Sequence, residues 1–78
     1  MIIQDIDIPS EWTRGWAFGR EAVFAARRAA IVSPRRGEEE YEIYRMEGDV
    51  MLARSGPVAK VADFKAACTA VELLFPKR

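Results

Sequence analysis

The stretch Arg20-Glu21-Ala22-Val23-Phe24-Ala25-Ala26-Arg27-Arg28-Ala29-Ala30-Ile31-Val32 decides the fold, because it supports two readings with different architectures. Its alanine and arginine content favours a helix. On a helical wheel, however, Phe24 and Ile31 share a side with Arg20, Arg27 and Arg28, a poor amphipathic pattern. Written as a strand, Ala22, Phe24, Ala26, Ala30 and Val32 line one face, with Arg28 as the only intruder. Ser33-Pro34-Arg35-Arg36-Gly37 would then turn the chain into a strand at Glu40–Met46. Composition tips the expectation to a helix over 20–32, with the strand kept as the alternative.

Downstream of this stretch the pattern is plainer. Tyr41-Glu42-Ile43-Tyr44-Arg45-Met46 is rich in strand formers, Gly48-Asp49 signals a turn, and Val50-Met51-Leu52-Ala53-Arg54 reads as the returning strand. Ser55-Gly56-Pro57 marks another turn before a short run, Val58-Ala59-Lys60-Val61; Pro57, lacking an amide donor, belongs at an edge or in the turn. Asp63 is a good N-cap, and Phe64, Ala67, Cys68, Val71, Leu74 and Phe75 follow at helical spacing. Lys65, Thr69 and Glu72 mark the polar side, and Pro76 ends the helix.

Upstream, Ile2, Ile6 and Ile8 share one face of an extended segment, so residues 2–8 read as a strand closed by Pro9. Ser10 could cap a short helical turn through Trp12 that Gly15 ends. The expected architecture is α+β, one domain over residues 1–78. An antiparallel sheet of three to four strands packs against a C-terminal helix, with a candidate second helix at 20–32.

Composition narrows the chemistry. The 78 residues contain no histidine and one cysteine, Cys68. There is therefore no imidazole to act as a base near neutral pH or as a zinc ligand, and no second thiol to pair with Cys68. A cysteine without a pairing partner fits a reducing, intracellular setting. No stretch approaches a membrane span, and Met1-Ile2-Ile3-Gln4-Asp5 lacks the regions of a signal peptide. No metal and no cofactor is expected.

The net charge of zero conceals segregation along the chain. Residues 1–19 net −2, residues 20–36 net +4, residues 37–49 net −5 and the remainder +3. Adjacent basic and acidic blocks can pair across a hairpin or present two patches to a partner. Pairing with solvated faces is the simpler reading.

Each candidate site has a bland counterpart. Cys68 lies on the apolar stripe without an activating base, so a buried core residue is favoured over a nucleophile. Glu38-Glu39-Glu40 with Glu42 lacks the ligand spacing of a calcium loop, and consecutive strand residues point to opposite faces. Arg27, Arg28, Arg35 and Arg36, with Arg20 nearby, could contact phosphates, with Trp12, Trp16, Phe18, Tyr41 and Tyr44 close in sequence for base stacking. The neutral total argues against general nucleic-acid binding. Gly15-Trp16-Ala17-Phe18-Gly19 lacks the glycine spacing of a dinucleotide loop. Trp12, Trp16 and Phe18 are core residues first, and an exposed ring among them would anchor an interface.

In build the chain resembles the small phage-encoded anti-CRISPR proteins. The likeness rests on the strand–turn–strand–helix layout of Tyr41–Phe75, the short chain and the charged blocks. It implies a non-enzymatic inhibitor in the cytoplasm of a host bacterial cell that binds a CRISPR effector or nuclease and blocks its access to DNA, and it carries over no site residues. The expected partner is a protein or nucleoprotein complex. The expected contact residues are Arg27, Arg28, Arg35, Arg36, Glu38, Glu39, Glu40, Trp12 and Trp16. The alternatives are a small nucleic-acid-binding module using the arginines and a bacterial domain that forms a homodimer.

Overall fold

In the computed structural model, which describes residues 2–26 and 28–76, the expected helix over 20–32 is replaced by two strands. The strands are β1 (Thr13–Ala17), β2 (Arg20–Ala25), β3 (Ala29–Val32), β4 (Tyr41–Glu47), β5 (Val50–Leu52) and β6 (Ala59–Val61), followed by the helix α1 (Phe64–Leu74). All pairings are antiparallel in the order β1-β2-β3-β4-β5, and β6 shares with β5 the second edge of β4. The sheet is thus larger than three or four strands, while the α+β class and the C-terminal helix stand as expected.

The helix fails at 20–32 because the sheet buries both faces of this hairpin. Val23, Ala25, Ala29 and Ile31 join the core on the helix side, and Ala22, Ala30 and Val32 join a second cluster on the opposite face. A strand buried on both sides reads as a continuous apolar run without alternation. The break comes where Arg28 N–H donates to Ala25 O at 2.9 Å, with Ala26 at φ +45°. No glycine, asparagine or aspartate marks that turn, so the usual signal for positive φ is missing.

The N-terminal segment also departs from expectation. Residues 2–8 contain a 3-10 turn at Asp5–Asp7 in place of a strand, closed by Asp7 N–H on Gln4 O and Ile8 N–H on Asp5 O. Side chains pin the segment to the sheet: Arg14 donates to Ile3 O at 2.6 Å and Glu21 accepts from Ile2 N–H at 2.5 Å. Ile3 and Trp12 enter the core, while Ile2 and Ile6 stay exposed. Ser10 lies in a turn, and Gly15 sits inside β1.

The helix α1 forms as its cap and stripe indicate. Asp63 Oδ1 accepts from Ala66 N–H at 2.7 Å, satisfying a first-turn donor. Phe64, Ala67 and Val71 are buried against the sheet, with Cys68 and Phe75 partly so. Leu74 lies off the contact at 51% exposure.

Candidate functional site

The helix covers one face of the sheet; the other curls over itself and carries the most organised polar cluster. Cross-strand register puts Glu42 of β4 opposite Val32 of β3 and Lys60 of β6, with Tyr44 two residues along on the same face. Glu42 Oε1 accepts from Arg20 Nη2 at 2.9 Å and from the Tyr44 hydroxyl at 3.0 Å. Its Oε2 lies 3.3 Å from Arg35 Nε and 3.8 Å from Lys60 Nζ. Arg20 is fixed further by donating to Ser33 O at 2.9 Å.

The Glu42 side chain is only 3% exposed. Burial opposes its ionisation, but donation from Arg20, Tyr44 and Arg35 outweighs it and holds the pKa below the usual carboxylate value. Burial and the bond to Glu42 push the Tyr44 hydroxyl upward, so it stays a neutral donor. One carboxylate thus receives three cationic side chains. Arg35 and Lys60 remain largely open to solvent and can meet an anionic group from outside.

Beside this array stands Phe18, 57% exposed at the tip of the β1–β2 hairpin. Its ring packs 5.5 Å from that of Tyr44, and the Arg20 guanidinium lies 5.7 Å from its centroid. Phe18 adopts φ +55° and Gly19 φ +72°. Left-handed backbone is strained for an aromatic residue, so the ring contacts hold a conformation that phenylalanine disfavours.

The expected contact residues do not form one surface. Arg27 lies outside the described residues. Arg28 is internal: it donates to Phe75 O and to Glu72 Oε1 at 3.0 Å, tying the end of α1 to the β2–β3 turn. Trp12 is a core residue at 8% exposure. Trp16 pairs with Glu21 and so takes the helix-side face of β1 at the sheet edge, away from Phe18. Arg35, Arg36, Glu38, Glu39 and Glu40 are exposed on the β3–β4 loop, where Glu38 N–H donates to Arg35 O at 2.8 Å. The structure therefore brings Arg35 to the Glu42 array and leaves Arg28 and Trp12 engaged within the fold.

Comparison with known families, curated proteins and solved structures finds no match to this chain. Sequence reasoning missed the pairing of Arg20, Glu42, Lys60 and Tyr44, which depends on strand register that becomes readable only once the 20–32 hairpin is known.

Cys68 is partly buried against the core and not fully enclosed in it. Burial chiefly, with Asp7 and Glu72 nearby, pushes its thiol up to about 11. Among the described residues no group of three or more Cys, Asp or Glu side chains is arranged to hold a metal ion, and no helix is long and apolar enough to cross a membrane.

Proposed function

We propose that this protein is a non-catalytic binding domain whose contact surface is the helix-free face at the Phe18 end. The observation that carries the reading is Phe18 itself. An aromatic ring is kept exposed on a strained turn and is braced by Tyr44 and Arg20. Strain retained at an exposed tip points to use of that tip, since asparagine or glycine would fold the turn more readily. Arg35 and Lys60 at the Glu42 array offer positive charge, and Glu38, Glu39 and Glu40 offer negative charge on the β3–β4 loop, at the same end of the sheet as the β1–β2 turn.

A rim of both signs suits a partner that carries nucleic acid and basic protein together. The carboxylates of Glu38–Glu40 can occupy basic groups that otherwise hold phosphates, while Phe18 fills an apolar recess. This supports an inhibitor that binds a nucleoprotein effector, such as a CRISPR complex, and blocks its access to DNA. A second reading is direct nucleic-acid binding, favoured by the excess of cations over the single buried carboxylate beside an exposed ring.

One experiment separates them. Wild type, Phe18→Ser and the Glu38→Lys/Glu39→Lys/Glu40→Lys triple variant are tested for blocking DNA binding by a purified effector, and for binding generic duplex and single-stranded DNA over a salt series. The inhibitor reading expects blocking by wild type, loss in both variants, and no generic DNA binding near physiological salt. Generic binding that falls steeply with salt supports the second reading. Blocking retained in both variants rejects the proposed surface.

A further inference from the structure

The two outer edges of the sheet are built differently. At one, β5 and β6 are three residues each, and the segment between them carries Arg54 and Pro57. Short strands, charge and proline are devices that keep an edge from pairing. At the other, β1 runs five residues in unbroken register with β2, without proline or bulge, and its one charge, Arg14, is already paired with Asp5 and Glu21. Among the described residues no other strand pairs with it. Trp16 stands on this edge, 71% exposed.

The hairpin turn determines which backbone groups β1 offers. Positive φ at both Phe18 and Gly19 makes a two-residue turn of type I′, whose closing pair, Ala17 with Arg20, is hydrogen-bonded. Hydrogen-bonded and non-bonded pairs alternate along an antiparallel ladder. The Gly15–Ala22 and Thr13–Phe24 pairs therefore bond inward, and the N–H and C=O of Arg14 and Trp16 face outward.

We propose that β1 pairs antiparallel with β1 of a second copy of this chain, with the two Gly15 residues facing each other on the two-fold axis. The side chains select this register. Centring on residue 14 sets two arginines against each other, a like-charge pair. Centring on residue 16 pairs Arg14 with Phe18, where the strand has already turned. Centring on residue 15 sets each Arg14 opposite the Trp16 of the other copy, and all four outward-facing residues exchange backbone hydrogen bonds. An isologous contact of this kind closes on itself.

Arg14 is prepared for that contact. Its Nε and Nη2 reach Asp5 Oδ1, Nη1 reaches Glu21 Oε1 at 2.6 Å, and Nη2 also reaches Ile3 O. The rim of the guanidinium is thus occupied while the side chain stays 24% exposed, so stacking on an indole is the contact it can still make. On the opposite face the register apposes Thr13 with Ala17 and glycine with glycine, small groups that let the strands approach. The dimer contact lies on the helix-side edge and the proposed partner surface on the other face, so the two can be tested separately.

The test is sedimentation equilibrium over about 1 to 300 µM, the range that resolves micromolar self-association. Wild type is expected to shift from the 8.8 kDa chain to twice that mass. Trp16→Lys, which sets a like charge against Arg14, is expected to weaken the dimer by about tenfold or more. Trp16→Thr keeps a strand former in place and is expected to weaken it in the same direction. Val50→Lys, on the opposite edge of the sheet, is expected to leave it unchanged, with folding of all three variants verified by circular dichroism. A wild type that stays monomeric throughout overturns the proposal. So does a dimer that survives both Trp16 variants, or one that Val50→Lys dissolves.

Discussion

Arg20 of β2 reaches past the intervening strand β3 to place Nη2 2.9 Å from Oε1 of Glu42 on β4. Between them lies Val32, fully buried and opposite Glu42 in the register. The ion pair therefore spans three strands and closes the curled face over small side chains that leave room for it. Tyr44 completes the contact by donating to the same carboxylate oxygen, and Phe18 seals the outside through its ring contact with Tyr44. Structural and candidate binding roles meet here: the groups that brace the exposed ring also hold the sheet's curl.

Neutralising Glu42 should therefore be costly. Glu42→Gln strands Arg20 without a counterion and is expected to destabilise the fold by roughly 2–4 kcal/mol. The folded-state pKa is lowered from 4.5, so the carboxylate's contribution is complete above that value and is lost as pH falls through the lower folded pKa. Urea unfolding of wild type and variant should show a constant gap at neutral pH that narrows in acid. A gap that widens on acidification contradicts the assignment.

The helix stripe gives an internal control. Val71 is fully buried and Leu74 is 51% exposed, although both fall on the same apolar pattern. Val71→Ala is expected to cost about 1–3 kcal/mol, and Leu74→Ala under about 0.5 kcal/mol. Equal losses at the two positions in denaturant titrations would show that the last turn of α1 packs more closely than its exposure indicates.

How much of this could be read from the chain depended on whether the controlling interaction was local. The Asp63 cap, the α1 stripe as far as Val71 and the Gly48-Asp49 turn are set by neighbours a few residues apart and sit where their residues indicate, whereas Leu74 on the same stripe is left exposed. The β2–β3 hairpin is different. Its turn carries Ala26 at positive φ without the residues that announce one, and its strands, buried on both faces, lack alternation. The residues 2–8 likewise alternate like a strand but are held by Arg14 and Glu21, partners that sequence spacing does not reveal. Arg28 looked like a surface cation because its partners, Glu72 and Phe75, lie far along the chain. The candidate site inherits this: Arg20, Glu42 and Lys60 converge only through register.

Cys68 should be slow to react in the native state. With its thiol pushed up to about 11, chiefly by burial, the thiolate is scarce at neutral pH. A disulfide reagent at pH 8 is expected to label the folded protein at least about a hundredfold more slowly than the urea-unfolded chain. Comparable rates would mean that α1 opens readily or that the thiol is activated.

The sharpest test of the binding surface sets stability against function at Phe18. Left-handed backbone disfavours phenylalanine by roughly 1–2 kcal/mol, a strain that asparagine largely escapes. Phe18→Asn relieves that strain but removes the ring contacts with Tyr44 and Arg20, interactions of about 0.5–1.5 kcal/mol each. The two effects oppose each other, so the thermal midpoint should move little in either direction. If the ring serves a partner, capture of that partner should fall sharply in the same variant. A Phe18→Asn protein that loses more than about 2 kcal/mol of stability would show the ring to be mainly a lid on the curled face. One that keeps both its stability and its partner would leave the strained tip without the role assigned to it here.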